Sequence, residues 1–161
     1  MTIYVVRHAK AGSRGEFNGP DWLRPLVTNG QAQARGLLPM FEHATFARVV
    51  SSSYVRCMET MVPVAAHHGV AIEPDDALVE GAPLETTLRL LDKLWDLGAV
   101  VCSHGDIIPM VLQHLRAQGT DLGPAPKCEK ASTWILDGHF DQGVTATYVA
   151  PPPLSRPDFK I

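Results

Sequence analysis

The chain is short of cysteine, of net charge and of long apolar runs, and each shortage closes off a class of protein. Its three cysteines, Cys57, Cys102 and Cys128, are odd in number and lack the paired spacing of a zinc site or a redox dithiol. A reducing compartment suits them, so a cytoplasmic protein is expected. The net charge of −3 argues against a nucleic-acid polymer as partner, because such binding needs a basic face that releases counterions from phosphates. The first apolar run, Ile3-Tyr4-Val5-Val6, stops at Arg7 with no basic segment ahead of it. It is too short for a secretory core or a membrane span, so no membrane association is expected. No like-charge block marks a disordered tail, and neither an internal repeat nor a linker is visible.

What the chain does have is a rhythm. Of its 161 residues, 45% are hydrophobic, enough for one good core and too few for a second, so residues 1–161 are expected to form a single domain. Short β-rich runs alternate with longer helical stretches, the pattern of an α/β domain: a three-layer sandwich whose mainly parallel sheet is flanked by helices. Strands are expected at residues 3–6, 48–52, 70–73 and 99–103. Helices are expected at 28–43, capped by Thr28 and bent or ended by Pro39, at 54–68 with a kink at Pro63, at 84–95 and at 107–117. Gly69 and Gly98 read as helix stops. Residues 132–136 and 144–149 read as an antiparallel pair around a turn at Asp137-Gly138. The polar, glycine-containing residues 11–25 read as a loop over a site, and residues 151–161, which begin Pro151-Pro152-Pro153, as an extended tail.

The chemistry sits where strands end. Arg7-His8 follows the first strand, Ser51-Ser52 and then Arg56 follow the second, and Ala99-Val100-Val101-Cys102-Ser103 runs into His104-Gly105-Asp106. Open α/β sheets bind ligands outside the carboxyl ends of their strands, so two histidines and two arginines are expected to converge there. A phosphoryl group suits that set. Arg7 and Arg56 can fork its oxygens with bidentate, charge-assisted contacts, and a protonated His104 would add a third donor. His8 must attack as neutral imidazole, and two neighbouring guanidiniums oppose its protonation. Water would then cleave the phosphohistidine. Arg7, Lys10, Arg14 and Arg24 all lie within the first 24 residues of an acidic chain. That local excess points to a small anionic ligand, with Arg24 and Lys10 as further binding residues. Ordinary surface charge is the alternative for Lys10 and Arg14.

These segments resemble the histidine phosphatase superfamily, the phosphoglycerate mutase-like fold. The likeness is carried by Arg7-His8-Ala9, by Ser51-Ser52-Ser53-Tyr54-Val55-Arg56 with Thr60, and by Ser103-His104-Gly105. It implies His8 as nucleophile, Arg7, Arg56 and His104 as the phosphate pocket, and no metal or other cofactor. It also places a proton donor at about Glu80. Short length, Arg24-Pro25-Leu26 and Gly30-Gln31-Ala32 are similar to the compact phosphohistidine phosphatases. Ser52 to Cys57, Glu80-Gly81, Cys102 to Asp106 and Tyr148 to Pro153 resemble the phosphatase domain that some bacteria fuse behind a Nudix hydrolase of oxidised nucleotides. The implied partner is a phosphorylated small molecule, a nucleotide or a phosphohistidine protein. Ser53 stands where many relatives have proline, and Ala9 where the larger mutases have glycine.

Several residues have competing readings. Asp106 is an alternative proton donor, but it also stands where a helix N-cap before Ile107 would. Trp22 could stack on an aromatic group, yet its plainer role is to anchor the 11–25 loop. Cys57 beside Arg56 could be a reactive thiol near an electropositive pocket, and its plainer reading is a buried, inert residue. His67-His68 suits a helix C-terminus, and His43, His114 and His139 lack zinc-like spacing. Two other functions stay open beside a phosphatase: a phospho-ligand sensor without turnover, and a metallohydrolase liganded by His8, His104 and Asp106. The arginines disfavour the last by repelling a cation.

Overall fold

Alternation along the first strand already calls for two cores. β1 (Thr2–Arg7) sends Ile3 and Val5 into one apolar cluster and Val6 into another, as a pleated strand must when both faces are covered. The structure, a computed structural model, describes residues 1–154. After β1 the chain forms α1 (Thr28–Gly36), α2 (Leu38–Phe41), β2 (Arg48–Ser51), α3 (Val55–His68) and β3 (Ile72–Pro74). Then come α4 (Leu84–Trp95), β4 (Ala99–Ser103), α5 (Ile107–Ala117), β5 (Thr133–His139) and β6 (Gly143–Val149).

The six strands form one sheet in the order β3-β2-β4-β1-β5-β6. The first four run parallel, while β5 pairs antiparallel with β1 and β6 with β5. Cys57, Met61, Val64 and Ala65 of α3 pack with Phe41 on one face. Leu90, Leu91, Leu94 and Trp95 of α4 pack with Ile108, Val111, Leu112 and Leu115 of α5 on the other. Their spacing is that of a single helix face in each case. The mixed α/β, three-layer expectation therefore holds. No helix among the described residues is long and apolar enough to cross a membrane.

Register decides which residues reach the carboxyl edge. Arg7 stands opposite Ser103 and Ser51 opposite Cys102, so His8, Ser52 and His104 leave the sheet at nearly one level. Gly30 lets α1 press on the chain just after β1, because a Cβ there would lie 1.9 Å from the Lys10 carbonyl oxygen.

Four local expectations need correction. Val27, not Thr28, occupies the cap position of α1, and no side chain caps it. The expected helix over 28–43 divides at Leu37, with Pro39 in the first turn of α2, the position where a missing N–H does no harm. The third strand starts at Ile72, because Val70 N–H is still bonded to the Ala65 carbonyl at the end of α3. Asp137-Gly138 lies inside β5, and the turn falls at residues 140–142. Gly138 pairs with Val144 in the strand ladder, and only glycine fits there because its φ is 114° and a Cβ would strike the Gly143 carbonyl oxygen. α3 continues through Pro63 and stops at Gly69 in the left-handed region. Of the expected tail, residues 155–161 lie outside the described residues, and residues 151–154 have no regular structure.

Candidate active site

The ends of β1 and β4 and the start of α3 meet at a cavity of about 720 Å³. His8, Arg56 and His104 are buried there. The His8 and His104 rings stand edge to face, with centroids 5.3 Å apart. His8 Nδ1–H donates to the Ala9 carbonyl at 2.8 Å, which fixes the tautomer and leaves the lone pair on Nε2. Burial pushes the His8 pKa down to about 3, and the charges of His104, Arg56 and Arg7 push the same way against the Ala9 hydrogen bond. A neutral imidazole with a free ring nitrogen results.

Backbone bonds hold His8 in that pose. Its N–H donates to the Ser103 carbonyl at 3.1 Å. The Ala9 N–H donates to Thr60 Oγ1 at 3.0 Å, and that hydroxyl in turn donates to the Arg56 carbonyl at 2.6 Å. Thr60, one helical turn beyond Arg56, thus ties β1 to α3.

His104 is gripped from behind. Its Nε2 lies 2.8 Å from Ser52 Oγ and 3.5 Å from Cys57 Sγ, while Nδ1 has no hydrogen-bond partner among the described residues. Arg7 Nε and Arg56 Nε are likewise buried and unpartnered. Each such atom costs about 1–3 kcal/mol in a folded protein unless a ligand satisfies it. All three are nitrogens that can donate to an anion. Gly105 makes room for Arg7, since a Cβ at that position would lie 2.7 Å from the guanidinium. The same guanidinium donates from Nη1 to the Cys128 carbonyl at 2.5 Å.

Arg56 lies over the Tyr54 ring, 4.9 Å from its centroid, a cation–π contact. Its Nη2 reaches Glu80 Oε1 at 2.7 Å and Asp21 Oδ2 at 3.1 Å, and Nη1 donates to the Asp21 carbonyl at 3.0 Å. Glu80 also meets Arg14 at 3.2 Å and lies 3.6 Å from His104 Nδ1. Asp21 further accepts from Arg24 Nε at 2.9 Å. Partial burial would raise the Asp21 pKa, but the Arg24 hydrogen bond and the charges of Arg56 and Arg14 hold it below the usual carboxylate range.

Of the residues expected at the site, Arg7, His8, Lys10, Arg24, Arg56 and Glu80 all line the cavity. Arg24 is buried and spent on Asp21 and the Gly12 carbonyl, whereas Lys10 is exposed. His104 lies beneath the lining, beside His8. Asp106 corrects the sequence reading: it holds the first-cap position of α5, but its side chain makes no cap hydrogen bond. Its Oδ2 accepts instead from the Gly81 N–H at 2.9 Å and so braces the segment carrying Glu80. Trp22 is a second correction. It is 55% exposed, and its neighbour Asp21 anchors the loop, because a carboxylate between arginines holds more strongly than an indole in water. Cys57 is fully buried, as expected, but it does not have the raised pKa of an inert buried thiol: burial pushes it up, and contacts with Cys102, His104 and Ser52 bring it below its ordinary value. No group of three or more His, Cys, Asp or Glu side chains disposed to hold a metal occurs among the described residues.

Sequence reasoning missed Asp21, the bracing role of Ser52, and Lys130, which also lines the cavity. Asp21 stood in a loop with no periodicity to mark it. Its only signal was a carboxylate between Arg14 and Arg24.

The structure is an α/β protein with paired histidines and clustered arginines at the carboxyl edge of a mainly parallel sheet, a set of nitrogen donors whose chemistry suits an oxyanion. The family model of the histidine phosphatase superfamily (branch 1) matches residues 3–85, and the chain belongs to that family. It is 28% identical over 156 residues to the 8-oxo-(d)GTP phosphatase of Mycolicibacterium smegmatis, covering 94% of this chain and 48% of that protein. It is 31% identical over 87 residues to the uncharacterized protein Rv0525 of Mycobacterium tuberculosis, covering 50% of this chain and 40% of the other. The chain thus spans about half the length, or less, of these curated relatives. In fold it is similar to the protein histidine phosphatase SixA complexed with tungstate, with TM-score 0.73 and 19% identity over 94% of this chain and 97% of that one. A mycobacterial glucosyl-3-phosphoglycerate phosphatase superposes with TM-score 0.70 and 16% identity, covering 92% and 97%.

Proposed function

We propose that the chain is a phosphatase that works without a metal and passes the phosphoryl group through a phosphohistidine on His8. The observation that carries this reading is the His8 ring: Nδ1 is tied to a carbonyl, Nε2 keeps its lone pair, and cations surround it. Nε2 attacks phosphorus while the bond to the leaving oxygen breaks. Arg7, Arg56 and His104 Nδ1 hold the equatorial oxygens as charge spreads over them. Glu80, which lines the cavity 3.6 Å from His104 Nδ1, can deliver a proton to the leaving oxygen once the bound phosphate takes over its arginine partners, and Asp106 braces its segment through the Gly81 N–H. Water then splits the phosphorus–nitrogen bond and releases inorganic phosphate.

The substrate is a phosphorylated small molecule, with a nucleotide favoured by the likeness to the 8-oxo-(d)GTP phosphatase. A phosphohistidine protein is the competing substrate, favoured by the open, exposed lip around Trp22 and Leu23. A hydrolysis screen over nucleotides, phosphosugars and a phosphohistidine protein, with His8→Ala as blank, decides between them. Trapping an acid-labile phosphoenzyme that is absent from His8→Ala separates turnover from mere sensing. Chelator-sensitive activity restored by zinc or manganese would overturn the metal-free reading.

A further inference from the structure

The cavity carries more positive charge than one phosphoryl group needs. Arg7 and Arg56 serve the inner set, Arg14 and Arg24 are paired with Glu80 and Asp21, and two lysines remain. Neither Lys10 nor Lys130 has a carboxylate within 4.0 Å among the described residues.

The backbone fixes both positions. Lys10 N–H donates to Gln33 Oε1 at 2.9 Å, its carbonyl accepts from Val27 N–H at 3.1 Å, and Gly30 lies tight against it. Lys130 precedes Ala131, the one non-glycine residue with positive φ among those described, at 64°. A left-handed alanine costs on the order of 1 kcal/mol. Ala131 is fully buried, and its N–H is shared between the Arg7 and His8 carbonyls at 3.1 and 3.2 Å. The strained turn therefore locks Lys130 to the two residues at the heart of the site. Partial burial lowers the Lys130 pKa, and Arg7, Arg24, Lys10 and Arg56 lower it further. The charges that act most strongly on this exposed ammonium are of its own sign, and a bound anion would relieve that repulsion.

We propose that Lys10 and Lys130 form a second anion subsite for the phosphate next to the transferred phosphoryl group, so that phosphoanhydrides such as nucleoside diphosphates are the preferred substrate class. This rests on the phosphatase reading and narrows it. Ammonium groups act as point charges that can meet a second phosphate from several directions, while the arginines below them serve the transferred phosphoryl group. In the reaction His8 Nε2 bonds to the terminal phosphorus and the bridging phosphorus–oxygen bond breaks. The electron pair stays on the departing nucleoside monophosphate, where the lysines meet it. Water cleaves the phosphohistidine, giving inorganic phosphate. Such a leaving group depends little on Glu80.

The test measures binding of inorganic pyrophosphate and inorganic phosphate by titration calorimetry, beside kcat/KM for ADP, p-nitrophenyl phosphate and phosphoglycolate. Pyrophosphate is expected to bind about tenfold or more tightly than phosphate, and that ratio is expected to collapse towards one in Lys10→Gln/Lys130→Gln. Lys93→Gln/Lys127→Gln, which removes equal charge outside the cavity, is expected to keep the ratio. Glu80→Gln is expected to slow p-nitrophenyl phosphate no less than ADP. Equal binding of the two anions, a ratio that survives in the Lys10/Lys130 variant, or phosphoglycolate gaining as much as ADP over the aryl ester would overturn the subsite. Failure to hydrolyse any of the three substrates would instead overturn the phosphatase reading, while the binding ratio would still judge the lysines.

Discussion

The floor of the cavity and its rim are built by different rules. The floor, with His8, Arg56 and His104, is buried and braced by strand register and by bonds from Ser103, Thr60 and Ser52. The rim, with Lys10, Arg14 and Trp22, is exposed; Arg14 and Trp22 rest on a loop fastened chiefly through Asp21, and Lys10 on the backbone just before it. On the proposed reading, chemistry that needs sub-ångström placement is mounted on the sheet, and selection of the substrate is left to residues that can vary without disturbing it.

That contrast can be broken most severely at His8. His8→Ala is expected to reduce hydrolysis of an aryl phosphate by at least about 10³-fold, with near-UV circular dichroism checking that the fold persists. The same residue makes the floor acid-sensitive. Its folded pKa of about 3 lies below the unfolded value of 6.5, so the unfolded chain binds the extra proton between those limits. Stability from this group is complete above pH 6.5 and falls as pH drops towards 3, by about 1.4 kcal/mol per unit, or tenfold in the unfolding constant. Urea unfolding at pH 7 and pH 5 is expected to show a loss in the wild type that is smaller in His8→Asn.

Arg56→Lys comes next, with an expected loss of about 10²-fold in kcat/KM, because an ammonium cannot reproduce the forked contact. Asp21→Ala tests the fastening between floor and rim. Releasing Arg56, Arg24 and Arg14 is expected to raise KM by about tenfold with a smaller change in kcat, the mark of a misplaced loop rather than lost chemistry. The smallest effect is expected at Trp22→Ala, with stability unchanged to within about 0.5 kcal/mol in urea unfolding, since the exposed ring holds nothing down.

The floor was legible in the sequence and the rim much less so. Arg7, His8, Arg56 and His104 come after apolar runs, and parallel strands carry the residues at their carboxyl ends to one edge of the sheet. No comparable rule governs Asp21, whose partners come from the loop itself and from α3. Lys130 depends on Ala131 taking a positive φ, which an alanine does not advertise. Asp106 had the right type and place for a helix cap, but Gly81 N–H lies close enough to claim its carboxylate. Gly138 looked like a turn because glycine suits turns and tight strand crossings alike, and only the partner strand decides between them.

At Gly105 the Arg7 guanidinium fills the volume that any larger residue's first side-chain atom would claim. The two positions are therefore a lock with one key: a chain that changes 105 to alanine must also surrender the arginine's pose. Their evolutionary fates should be joined, and a compensating change at position 7 is the place to look in any functional revertant.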